Sequence, residues 1–228
     1  MNIINDFFSL FFPEYCFTCH SNLVGNEKYI CTQCISELPK TKYFLSENNP
    51  IHFRLNNIQS LQQATAYLKY IKSGKVQTVM HYYKYKNYPE IGTVLGRWFA
   101  QDLLQNQANF DWDLIVPVPL HPKKMKKRGY NQSEFFAKGL AEILGIPHEP
   151  DVMLRKSDSS TQTRKSRVAR WKNVEQIFSV VDKEQIKNKH VLLVDDVITT
   201  GATLEACALQ LENNNARAIS VASLAQAE

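Results

Sequence analysis

One stretch, HVLLVDDVITTGAT at residues 190–203, limits most what this chain can fold into. Val191, Leu192, Leu193 and Val194 form an unbroken apolar run, β-branched at both ends. That pattern suits a strand of a parallel sheet covered on both faces. The run ends on two adjacent carboxylates, Asp195 and Asp196, followed by a turn of small and hydroxyl residues, Thr199-Thr200-Gly201-Ala202-Thr203. Apolar side chains then return at Leu204, Ala208 and Leu211, with Cys207 on the same side, which is helical spacing. The order is strand, acidic pair, small-residue turn, helix.

In an open parallel sheet, ligands bind at the carboxyl ends of the strands. A turn that opens a helix can aim several backbone N–H groups at one anion, and the helix dipole adds to them. Gly201 lets backbone come close, and Thr199, Thr200 and Thr203 add hydroxyl donors. The acidic pair would repel a phosphate placed beside it and suits sugar hydroxyls or a divalent metal. The ligand so described has a phosphate at one end and a ribose diol next to it. No Gly-Lys-Ser/Thr follows, so the turn is not a Walker loop, and there is no dinucleotide GxGxxG.

Two CxxC knuckles, Cys16-Phe17-Thr18-Cys19 and Cys31-Thr32-Gln33-Cys34, stand eleven residues apart. This spacing predicts a structural Zn²⁺ held by Cys16, Cys19, Cys31 and Cys34. Four thiolates leave no open position for water, and His20 beside the first knuckle is not needed. Cys207 is expected in the core. With charged residues at 21% and apolar residues at 44%, the composition is that of a globular domain plus a small appendage. No apolar run reaches the roughly 20 residues of a membrane span. The apolar start, MNIINDFFSLFFPEYC, has no basic n-region or cleavage site. Residues 3–12 therefore predict a short amphipathic helix packed on the body, and a cytoplasmic, thiol-reducing setting is expected.

The net charge of +5 is unevenly placed. Residues 120–172 carry 13 Lys and Arg against 5 Asp and Glu. Part of this sits after a second apolar strand, Leu114–Pro119, in HPKKMKKRGYNQ. Lys123, Lys124, Lys126, Lys127 and Arg128, followed by Tyr130 and Asn131, form a basic strand-to-helix loop at the same sheet end as the aspartates, if both strands are parallel. Such a loop opposes the charge of a diphosphate or tracks a nucleic-acid backbone. Helix resumes with Phe135, Phe136, Leu140, Ile143 and Leu144. Residues 155–174 are polar and basic, the composition of a lid or a disordered segment. Earlier, Ala64–Ile71 predicts a strand, Val76–Tyr85 and Pro89 to about Gln105 two helices, and 41–63 a domain boundary. Tyr83-Lys84-Tyr85-Lys86 reads either as cations at a helix end or as ligand contacts. Phe178–Val181 and Ala216–Leu224 complete the strands.

VLLVDDVITTGAT resembles the phosphoribosyl-diphosphate motif of type I phosphoribosyltransferases. The double CxxC, PVPLHPKKMKKRGYNQ, TQTRKSRVARWKNV and this motif occur in the order of the ComF family, competence-associated phosphoribosyltransferase-like proteins. The resemblance spans roughly residues 10–225. It implies an α/β fold, a type I phosphoribosyltransferase-like parallel sheet flanked by helices (60–228), preceded by an N-terminal helix and zinc ribbon (1–45). It implies that residues 199–203 hold the 5-phosphate and that Asp195 and Asp196, the candidate catalytic pair, hold the ribose hydroxyls with Mg²⁺. It further implies that Val118–Asn131 binds diphosphate, and that a flexible loop with Gln162, Arg164, Arg167, Arg170 and Asn173 closes over the ligand. The family is similar in its second part to amidophosphoribosyltransferases. This chain has no room for a glutaminase domain and no N-terminal cysteine nucleophile, so ammonia chemistry is not supported.

Three functions stay open: a phosphoribosyltransferase, a single-stranded DNA-binding competence module that works with uptake machinery, and a sensor of phosphoribosyl diphosphate. No motif names an acceptor substrate.

Overall fold

The computed structural model describes residues 13–156 and 177–227. The predicted helix over 3–12 and the predicted closing-loop residues Gln162, Arg164, Arg167, Arg170 and Asn173 lie outside the described residues.

The cysteine segment opens the chain and contains a short helix, α1 (Thr32–Ser36). A 3-10 turn at Tyr43–Leu45 and α2 (Pro50–Arg54) follow, α2 being capped by the Asn49 side chain. Next come β1 (Leu61–Tyr70), α3 (Lys75–Tyr85), α4 (Glu90–Gln105), β2 (Leu114–Pro117), α5 (Pro122–Arg128) and α6 (Gln132–Leu144). Two short strands, β3 (Met153–Arg155) and β4 (Phe178–Val180), pair antiparallel. The chain then runs through β5 (His190–Ile198), α7 (Ala202–Asn213) and β6 (Ala218–Ala227).

Four strands form one parallel sheet in the order β1-β6-β5-β2. The strand that carries the acidic pair thus lies between two partners, as its unbroken apolar run requires. Successive side chains of a strand face opposite ways, and the burial follows. Leu192 and Val194 join Tyr67, Ile115, Ala222 and Leu224 on the face covered by α4 and α6. Val191 and Leu193 join Ala66, Val116, Ile219 and Val221 on the face covered by α7, through Leu204, Cys207, Ala208 and Leu211.

Helices α4 and α6 cross at very short range because each presents a glycine. A Cβ at Gly96 would lie 2.3 Å from the Phe136 carbonyl oxygen, and one at Gly139 2.2 Å from that of Thr93. This close crossing seats α6 firmly, and α6 carries part of the site.

Three expectations change. The basic stretch after β2 is a helix, not a loop: His121 Nδ1 accepts from the Lys123 N–H, Pro122 takes the first helical position, and Gly129 ends it at φ 82°. Met153–Arg155 is a strand that no local alternation announced. Within residues 41–63, predicted as a boundary, Ile51, Leu55 and Ile58 enter the core beneath α7.

Candidate functional site

Because β2 and β5 run parallel, with Pro117 opposite Val194, the exits of both strands meet at one edge. The Val118 N–H donates to the Val194 carbonyl at 2.8 Å, which keeps the chain beyond β2 beside Asp195. Asn131 fixes the return: its Nδ2 donates to the Val118 carbonyl (3.1 Å) and its Oδ1 caps α6 by accepting from the Ser133 N–H (3.2 Å). The first turn of α6 therefore faces the acidic pair, and the Ser133 hydroxyl donates to Asp195 Oδ1 at 2.9 Å. The Asp196 N–H donates to the same oxygen at 2.8 Å.

Burial, joined by the neighbouring Asp196 charge, pushes the Asp195 carboxyl up to about 7, against the pull of those two donors. Asp196 is paired differently. Its Oδ2 lies 2.9 Å from Lys84 Nζ, on the last turn of α3. One lysine of the YKYK stretch thus belongs to the site. Tyr83 beside it is fully buried and donates to the Gln132 carbonyl, while Tyr130 donates to the Tyr83 carbonyl. Tyr130 and Asn131, at the end of the basic stretch, are both buried, and their hydrogen bonds position the turn. Tyr130 packs against Phe135 and Tyr83 and has no face to offer a base.

Past Ile198 the chain turns through Thr199 and Thr200, both exposed, to Gly201 at φ 85° and then into α7. Ala202 and Thr203 are the first exposed residues of that helix. The turn and helix start bring Thr199–Thr203 together at the surface. Gly201 has a reason other than backbone approach to a phosphate. Its left-handed conformation disfavours a side chain, and a Cβ would stand 2.7 Å from Leu55 Cδ2. The neighbouring Arg54 donates through its guanidinium to the Thr199 carbonyl. Arg54 and Leu55 thus brace the turn from α2. Nothing local in HFRL signals this, since the partners are 145 residues apart.

On α5, Lys123, Lys124, Lys126 and Lys127 are exposed. Arg128 is anchored: it donates to Gln132 Oε1 at 2.8 Å and lies 5.4 Å from the centroid of the Tyr85 ring. The structure therefore brings Asp195, Asp196, residues 199–203 and the root of α5 to one sheet edge.

The four knuckle cysteines form a second centre. Their sulfurs all lie within 4.8 Å of one another, with Cys19 Sγ and Cys31 Sγ 3.7 Å apart. A tetrahedral site with Zn–S bonds of about 2.3 Å spaces its sulfurs about 3.8 Å apart, so the cluster could hold a metal such as zinc. Burial opposes ionisation of Cys16, yet hydrogen bonds from Thr18 and nearby N–H groups bring it down to about 6. The Cys34 N–H favours the Cys31 thiolate, but burial and the three neighbouring sulfurs push it up to about 12. Such crowding resists four thiolates unless a cation joins them. Lys75 Nζ, 3.3 Å from Cys34 Sγ, already supplies one positive charge at the rim. Cys207 is fully buried on α7, away from the cluster.

The family model described as the phosphoribosyl transferase domain matches residues 81–228. The chain is similar over nearly its whole length to Competence protein F of Haemophilus influenzae, at 27% identity over 226 residues, covering 95% of this chain and 99% of that protein. It is 27% identical to the DNA utilization protein YhgH of Escherichia coli K12 over 209 residues, covering 90% and 87%. It is 25% identical to Competence protein ComFC of Bacillus subtilis over 210 residues, covering 91% and 82%.

Two outcomes follow from the site's chemistry. Metal analysis of the purified chain should find one Zn²⁺ per molecule, and chelation should unfold the cysteine segment. A stoichiometry near zero with four reactive thiols would contradict this. The Asp195 carboxyl, raised when folded, stabilises the fold only while protonated. That contribution is complete below about pH 4, where an unfolded Asp titrates, and is lost as the pH climbs towards 7. Asp195→Asn should therefore be more stable than the parent at pH 8, by on the order of 2 kcal/mol, with the difference closing at pH 4. Urea denaturation at the two pH values reads this, and a variant less stable at pH 8 would contradict the burial argument.

Proposed function

The chain belongs to the phosphoribosyl transferase domain family, in company with the competence and DNA-utilization proteins it matches along its length, and on that premise we propose that its carboxyl-edge site binds phosphoribosyl diphosphate together with Mg²⁺. The observation that carries this reading is the juxtaposition at the end of β5. Two carboxylates, one held by Ser133 and the other by Lys84, stand directly before a left-handed glycine turn that opens α7. A phosphate seats on the turn, where the helix start and the Thr199, Thr200 and Thr203 hydroxyls and N–H groups face it. The ribose 2- and 3-hydroxyls then donate to Asp195 and Asp196.

Two carboxylates with sugar oxygens form a donor set suited to a hard cation. Bound there, Mg²⁺ would neutralise the diphosphate and assist its departure as positive charge grows on the ribose. The protein's own part is geometric and electrostatic. The turn fixes the phosphate end, the acidic pair fixes the sugar ring, and the α5 lysines oppose the diphosphate. An acceptor for transfer is not named by any residue on this edge.

A second reading, single-stranded DNA binding on the same edge, draws support from one feature. Tyr85 is 62% exposed, and the Arg128 guanidinium lies over its ring beside the lysines of α5. A base can stack there and a backbone can follow the cations.

Calorimetry on the full chain with phosphoribosyl diphosphate and Mg²⁺ tests the first reading. Binding is expected, with Asp196→Asn weakening it by about tenfold or more, the loss of one charge-assisted contact. A folded parent that does not bind overturns it. For the second reading, log affinity for single-stranded DNA should fall against log salt with a slope of about −0.7 per phosphate contact. Tyr85→Ala should cost about 1–3 kcal/mol. A flat salt dependence, or an unchanged Tyr85→Ala, removes it.

A further inference from the structure

Lys84 is placed where an ordinary surface lysine would not be. Its ammonium and the Asp196 carboxylate each keep less than a fifth of their side-chain surface exposed, 19% and 17%, at a separation of 2.9 Å. The backbone that carries it is fixed on both sides. Tyr83, just before it, is buried and bonded to the Gln132 carbonyl, and Tyr130 reaches back to the Tyr83 carbonyl. Removing an ammonium from water is costly and is offset only by a well-placed partner. Here that partner is a carboxylate assigned to ligand and metal.

We propose that Lys84 is the resident counter-ion of the acidic pair, and that it makes entry of a divalent cation depend on phosphoribosyl diphosphate. The inference rests on the reading of the site given above. Consider the pair without ligand. Asp195 is supplied by the Ser133 hydroxyl and the Asp196 N–H, and Asp196 by Lys84. A lone Mg²⁺ ion must displace the ammonium and then sit within a few ångströms of it, because the fixed end of α3 keeps the lysine near. It also gives up water reluctantly and gains at most two carboxylates. Mg²⁺ that arrives with phosphoribosyl diphosphate meets a different balance. The ligand brings anionic oxygens on which both the metal and the released ammonium can rest. Lys84 is thus a positioning residue, acting through Asp196 and through the charge it withholds from the metal.

The test compares Mg²⁺ binding with and without the sugar phosphate, on the full chain, by calorimetry and by thermal shift. For the parent, Mg²⁺ alone at millimolar concentration should give no binding heat and no change in Tm, whereas Mg²⁺ with phosphoribosyl diphosphate should raise Tm. A parent that takes up Mg²⁺ alone at micromolar concentration overturns the inference without any variant. Lys84→Met should bind Mg²⁺ alone at least tenfold more tightly than the parent, and Lys84→Arg should keep the parent's pattern. Where Lys84→Met does not fold, Lys84→Gln, which keeps a donor and removes the charge, gives the same comparison. Equal Mg²⁺ affinity in the parent and the neutral variant overturns the proposal. A parent that ignores phosphoribosyl diphosphate at every Mg²⁺ concentration defeats the ligand reading instead, and the metal-only comparison still stands apart from it.

Discussion

Two carboxylates at the end of a buried strand have to be compensated, and the elements around β5 are arranged to do so. An isolated buried carboxylate is costly unless donors or a cation meet it. Asp195 draws on the Ser133 hydroxyl, which requires α6 to begin at that point. Asparagine capping at Asn131 sets that beginning, and the glycine crossing of α4 and α6 holds the helix against the sheet. Asp196 draws on Lys84, which requires the end of α3 to be close. The Tyr130–Tyr83–Gln132 hydrogen bonds bring it there. Tyr130 and Asn131 are occupied in building the turn beside the acidic pair.

Helix α3 also ties the two centres of the molecule together. Its first residue, Lys75, lies against Cys34 of the cysteine cluster, and its tenth, Lys84, against Asp196. Between them Tyr82 stacks on Phe17 of the first knuckle at 4.1 Å. Cys16, Cys31 and Cys34 share one continuous apolar cluster with Tyr83, Phe99 and Phe136. The cysteine segment therefore buttresses the helix whose far end compensates the acidic pair.

The parts that the sequence made legible were those whose physics is local. An apolar run ending in two carboxylates and a glycine turn can be read in fourteen consecutive residues, and two CxxC knuckles in nineteen. The parallel sheet and the α7 face followed from the same periodicity. What stayed hidden depends on contacts distant in the chain. Arg54 bracing Thr199, Leu55 against Gly201 and Lys84 on Asp196 have no local signature. Tyr130 stands beside lysines and a glycine in the sequence, but the buried Tyr83 carbonyl that its hydroxyl meets lies 47 residues away. The basic stretch is helical because of its caps, His121-Pro122 in front and Gly129 behind, a signal separate from its charge.

In the proposed function, the turn after β5 seats the phosphate while the acidic pair beside it holds the sugar. Amide hydrogen exchange on the full chain, with and without phosphoribosyl diphosphate and Mg²⁺, tests it most directly. The N–H groups of residues 199–205 would be covered by the phosphate and the steadied first turn of α7. Marked slowing is expected there, together with slowing at the Asp196 N–H. Ligand-induced protection confined to α5, with residues 199–205 exchanging as fast as in the free protein, would contradict it.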